Sequence, residues 1–187
     1  EAVVCENERL SWGQFDRHLN QVANGLLGLG LKPGQSVGIL MSNGIAMVEA
    51  MFGLMKAGLC SVPMNLSVSN EAISAMYQDS GIKALFVTAD QLGRLSSIQG
   101  LPDTIIVADC ADGDYIRYQT WRDQQSTDLP DCEITPKLPL NIIYSSGTTG
   151  LPKGILHTQK GRKDWAQDLA IALRYHGGAR TLCTIGL

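Results

Sequence analysis

Apolar residues recur along this chain at two periods, and the alternation between them predicts the fold class. Phe15, Leu19, Val22, Ala23, Leu26 and Leu27 return every three or four positions, the spacing of one helical face. Ser11, three places before Gln14, matches a capping box at the start of that helix, and Gly28 or Gly30 is expected to stop it. Before it, Ala2–Cys5 and Arg9–Leu10 flank a short polar stretch and predict a hairpin. After it, Lys32, Pro33 and Gly34 make a turn into a strand over 36–41, Asn43 is placed to cap a second helix reaching about Ala57, and a short apolar run at 59–62 closes on Pro63. A third round follows, with a helix over 70–79, Gly81 as its terminator and a strand over 84–87; a short helix over 88–97 and a strand over 104–107 come next. Strands alternating with helices predict an α/β fold, a largely parallel sheet with helices on both faces.

From Asp109 to Lys137 the pattern lapses into polar residues, with Tyr115, Tyr118 and Trp121 as the large anchors. This stretch is expected to be a solvated surface excursion with one short helix around 118–125. A strand over 140–144 resumes the core. A helix over 158–175 then carries Trp165, Leu169, Ala172 and Leu173 on one side, Gly177 and Gly178 end it, and 181–185 is expected to be another strand.

Composition narrows the class. At 187 residues, 44% hydrophobic and 18% charged, the chain is that of a globular domain, long enough to bury roughly 70% of its unfolded surface. No apolar run approaches the ~20 residues of a membrane span. A net charge of −3 with no basic tract argues against nucleic acid as a partner. Five scattered cysteines without a CxxC pair suit a reducing compartment, which makes cytoplasmic location the expectation. The chain starts at Glu1 rather than Met, which leaves room for a removed targeting segment.

The candidate chemistry sits in YSSGTTGLPKG, Tyr144–Gly154. Ser145, Ser146, Thr148 and Thr149 supply hydroxyls, Gly147, Gly150 and Gly154 free the backbone, and Lys153 adds a cation. Glycine lets successive amides turn toward an anion without a Cβ in the way. A helix starting just beyond would add its unpaired amides and its positive dipole end. Such a segment is expected to hold a polyphosphate. It is not a Walker loop, because that motif needs Ser or Thr after its lysine and Gly154 stands there. The plain alternative is a strand-to-helix turn, which uses the same residue types.

SSGTTGLPKG resembles the phosphate-loop signature of the AMP-forming adenylating enzymes, a family that includes acyl-CoA synthetases, peptide-synthetase adenylation domains and luciferases. The runs Leu10–Leu40 and Phe52–Phe86 are similar to that family's opening segments, in the same order. The resemblance implies that residues 1–187 are the front of a larger N-terminal AMP-binding domain, whose remainder and small C-terminal domain lie beyond Leu187. It implies activation of a small-molecule carboxylic acid through an acyl-adenylate, with ATP and magnesium, followed by transfer to coenzyme A. It also implies that Tyr144, Ser145, Ser146, Gly147, Thr148, Thr149, Gly150, Lys153 and Gly154 bind the nucleotide, with Lys153 catalytic and Thr148 helping to hold the metal.

The family's remaining motifs would fall beyond Leu187, so this stretch alone is expected to be inactive. Transfer to a carrier-protein thiol, a non-catalytic nucleotide-binding relative and, last, a generic NTPase stay open. The sequence departs from the family in one place: GILHTQK puts Gln159 where a histidine near the acyl carboxylate is usual and puts His157 two positions earlier. Both are carried as acid-side candidates. Neither the acid nor the oligomeric state is legible. Elsewhere, His18 beside Arg17 reads as solvated surface, His176 as a helix-end residue, and Trp12, Trp165, Met47, Met51 and Met55 as core.

Overall fold

The computed structural model describes residues 1–109, 115–145 and 152–179. The chain begins with an antiparallel hairpin, β1 (Val3–Cys5) and β2 (Glu8–Leu10), as expected. Helix α1 (Trp12–Gly28) carries the expected capping box: Ser11 Oγ accepts from the Gln14 amide at 3.3 Å and Gln14 Oε1 accepts from the Ser11 amide at 3.0 Å. Then come β3 (Ser36–Leu40), α2 (Ile45–Lys56), β4 (Cys60–Pro63), α3 (Asn70–Ser80), β5 (Ala84–Thr88), α4 (Leu92–Leu95), β6 (Thr104–Ala108), β7 (Ile116–Arg117), α5 (Tyr118–Asp123), β8 (Pro139–Ser145), β9 (Lys153–Thr158) and α6 (Gln159–Ala172). Gly81 closes α3 in the left-handed region, at φ 60°, as its sequence position implies. Asn43 does not cap α2. Gly44 takes that place in extended backbone, without a side-chain hydrogen bond.

Seven strands form one sheet in the order β7-β6-β5-β3-β4-β8-β9, parallel throughout except for the antiparallel β8–β9 pair. Successive strand side chains point to opposite faces, so each interior strand feeds two cores. Val37, Ile39, Ala84, Phe86, Ile106 and Ala108 enter the core beneath α1, α2 and α5. Leu40, Leu85, Val87 and Val107 enter the core with Ile73, Met76 and Tyr77 of α3. Burying each such large side chain contributes about 1.5–3 kcal/mol, which is what ties the sheet to both helical layers. Cys60 lies in this interior, and burial pushes its thiol up to about 11. Among the described residues no helix is long and apolar enough to cross a membrane.

The polar excursion after β6 is not simply solvated. Tyr118 is buried and meets Phe86 edge-on, with ring centroids 6.1 Å apart. The following residues lie along α1, where Asn20 Nδ2 donates to the Thr127 carbonyl at 2.8 Å and Asn24 Nδ2 to those of Ser126 and Asp128 at 2.9 Å. The excursion is held to α1 through its backbone carbonyls, while most of its side chains stay exposed. Nor is His18 a plain surface residue: its Nδ1 lies 2.6 Å from Glu49 Oε1. Glu49 is fully buried and also accepts from Tyr118 Oη at 2.6 Å and from Arg122 Nη1 at 2.8 Å. A buried carboxylate persists only when paired and hydrogen-bonded in this way. The network joins α1, α2 and α5. Met47 is core as expected, whereas Trp12, Trp165 and Met55 are exposed.

Candidate functional site

The candidate segment is carried by the β8–β9 hairpin. β8 runs parallel to β4, so Ser145 at its end lies on the same edge of the sheet as the ends of β3, β4, β5 and β6. Ligands of open α/β sheets bind at that carboxyl edge, where loops leave the strands. Ser145 pairs with Lys153 and Tyr144 with Gly154, which brings the two stems of the glycine-rich segment side by side. Ser146, Gly147, Thr148, Thr149 and Gly150 lie outside the described residues, as do the metal role of Thr148 and the strand expected over 181–185.

One expectation is corrected here. The segment leads into a strand, β9, and a helix begins only at Gln159. The apolar and β-branched residues of Gly-Ile-Leu-His-Thr pair with β8, Ile155 opposite Ile143 and Leu156 opposite Ile142. The first amides of α6 are served locally, with Gly161 N donating to Thr158 Oγ1 at 3.1 Å. The start of that helix is therefore separated from the glycine-rich segment by the whole of β9.

Lys153, Ile155 and His157 alternate along one face of β9. Lys153 is exposed, and His157 lies roughly 13 Å farther along the strand at ~3.3 Å per residue. The two do not converge on one atom. His157 sits opposite Asn141, and its imidazole is held toward the neutral form by burial and then by the charge of Arg162. Gln159 begins α6, and its backbone N–H donates to the Leu138 carbonyl at 2.9 Å. Among the described residues His157 Nδ1, Gln159 Nε2, Arg162 Nε and Asn141 Oδ1 are buried atoms without hydrogen-bond partners. Leaving such an atom unpaired costs about 1–3 kcal/mol. Arg162 stacks over Trp165, its guanidinium carbon 5.2 Å from the ring centroid.

Sequence reasoning missed the support beneath the hairpin. Tyr144 Oη donates to Asp79 Oδ2 at 2.5 Å, with the Met76 carbonyl 3.2 Å away. Burial, and then Asp79, push the Tyr144 phenol well above its usual value, so it remains a donor. Asp79 is 65 positions from Tyr144, and no local pattern signals their meeting.

Known proteins share this architecture. A family model for the AMP-binding enzymes matches residues 1–184, and the chain belongs to that family. It is 33% identical over 155 residues to gramicidin S synthase 2 of Aneurinibacillus migulanus, a match covering 83% of this chain and 3% of that protein. It is also 34% identical over 157 residues to the fatty acid–[acyl-carrier-protein] ligase ScoC of Streptomyces coeruleorubidus, covering 83% of this chain and 29% of that one. In three dimensions it resembles the anthranilate CoA ligase AuaEII in complex with anthranoyl-AMP, with a TM-score of 0.81 and 30% identity over 87% of this chain and 32% of that chain. The chain thus spans under a third of the length of each of these relatives.

Proposed function

We propose that the protein activates a carboxylic acid with ATP through an acyl-adenylate and passes the acyl group to the thiol of coenzyme A. The observation that carries this reading is the stem geometry: Ser145 and Lys153 are paired on the carboxyl edge of the sheet and bracket a segment of hydroxyls and glycines. A carboxylate oxygen attacks the α-phosphorus, the bond from that phosphorus to the bridging oxygen breaks, and pyrophosphate leaves with the electron pair. Attack of one anion on another is slow unless charge is neutralised and the phosphates are held still. In this reading the hydroxyls of Ser145, Ser146, Thr148 and Thr149, with backbone amides at Gly147 and Gly150, hold the β- and γ-phosphates, and Lys153 screens the departing pyrophosphate. Hydroxyl oxygens also suit a hard cation. Magnesium, with Thr148 as a protein ligand, would supply further charge neutralisation. Gln159 and His157 lie on the acid side, where both can offer hydrogen bonds to a carboxylate without adding positive charge.

A second reading has specific support. One relative is named as a ligase acting on an acyl-carrier protein, which favours a carrier-protein thiol as acceptor. The experiment is acid-dependent ATP–pyrophosphate exchange by the full-length protein, then thioester formation offered coenzyme A or a carrier protein. Lys153→Ala is expected to lower exchange about 100-fold or more, the scale of losing one charge-stabilising group. Undiminished exchange would remove the assignment.

A further inference from the structure

We propose that Tyr144, Gly154 and Asp79 form a brace that fixes the stems of the phosphate hairpin, with Asp79 of α3 as a positioning residue for the nucleotide site. The inference rests on reading that hairpin as the triphosphate site. Tyr144 and Gly154 are cross-strand partners, one pair removed from Ser145 and Lys153. A Cβ on Gly154 would stand 3.0 Å from Tyr144 Cε1 and 3.1 Å from Cζ, with Ile142 Cγ2 also at 3.0 Å. Real Cβ atoms rarely come so close, so the tyrosine ring occupies the space that any other residue at 154 would need. Glycine is unfavourable inside a strand unless something approaches its backbone closely, and here the ring does.

The ring is held over Gly154 from its far end. Its hydroxyl proton is committed to the Asp79 carboxylate at 2.5 Å. Asp79 lies in the last turn of α3, where the negative end of the helix dipole disfavours a carboxylate, so local helix chemistry gives no reason for it. Tyr144 does. α3 is itself anchored through Ile73, Met76 and Tyr77, all buried in the core on that face of the sheet. A continuous chain of contacts thus runs from a packed helix through Asp79 and Tyr144 to the strand pair that carries Lys153. With its hydroxyl proton engaged by Asp79, Tyr144 aligns the stems of the site. Loss of the brace leaves the phosphate-binding groups present and lets their stems drift, and misplacement of about 1 Å is enough to cost a large factor in rate.

The test uses the full-length protein and two readouts: KM for ATP and kcat in acid-dependent exchange, and amide hydrogen exchange across 142–158. Asp79→Ala and Tyr144→Phe are expected to raise KM for ATP three- to tenfold with a smaller fall in kcat, and to speed amide exchange in both stems. Asp79→Asn keeps an acceptor for the phenol and is expected to stay within twofold of wild type. Gly154→Ala should be the most severe, at tenfold or more, and combining it with Tyr144→Leu should recover part of that loss. If Gly154→Ala does not fold, the exposed Asp79 still decides the matter. Unchanged KM and amide exchange in Asp79→Ala would overturn the brace. Wild-type protein inactive with every acid would instead sink the site reading, and the amide exchange of Asp79→Ala would still judge the brace.

Discussion

The interior of the sheet and its β8–β9 edge are built from similar sequence and end in different states. β3 and β5 bury nearly every side chain between two helical layers, and even a charged residue, Glu49, is wholly enclosed there. At the edge, α6 carries apolar residues at helical spacing, yet none of its described residues is buried: Trp165 is 56% exposed and Ile171 77%. Ile155 and Leu156 of β9 are likewise open. Within residues 1–187 the apolar pattern closes the interior, whereas at the β8–β9 edge the described residues leave it uncovered, in a chain that spans under a third of the length of these relatives.

Mutations can sharpen or break that contrast. The largest stability effect is expected in the interior, where Glu49→Ala would leave Arg122, His18 and Tyr118 without their shared acceptor. Removing one partner of a buried ion pair costs about 3–5 kcal/mol, and urea unfolding of the full-length protein should show a loss on that scale. A loss below about 1 kcal/mol would mean that the network is not structural.

A smaller effect is expected at the rim of the interior strands. Ser42 Oγ donates to Asp90 Oδ2 at 2.6 Å, and hydrogen bonds from Ser42 and Thr88 hold the Asp90 carboxyl below its usual value. A folded-state value depressed in this way means stability present above the unfolded carboxylate value, near 4, and lost as pH falls through the lower folded one. Melting temperature followed from pH 5 to pH 2 should therefore fall less steeply in Asp90→Asn. Parallel curves would exclude the contribution.

Much of the fold was legible because its signals are local. The capping box at Ser11 and Gln14, the left-handed stop at Gly81 and the strand–helix alternation each act over a few residues, and the structure uses all three. What escaped depends on distant partners. β9 read as part of a turn into a helix because Gly154 and Thr158 weaken its strand pattern, and its pairing with β8 decides the outcome. The residues of the Glu49 network are far apart in sequence, so a histidine beside an arginine looked like surface and a polar loop looked hydrated. Of the candidate site, the residue types were readable and the contact between Tyr144 and Asp79 was not. Lys153 and the hydroxyls announce themselves by type and spacing, whereas Asp79 gains meaning only once α3 packs beside the hairpin.

The claim that the hairpin grips ATP while an acid attacks its innermost phosphorus is tested most directly by acid-dependent pyrophosphate exchange in full-length wild-type and Lys153→Ala proteins, measured side by side. Exchange that requires an organic acid and falls about 100-fold or more in the variant is the predicted result. Equal exchange in the two proteins would contradict it.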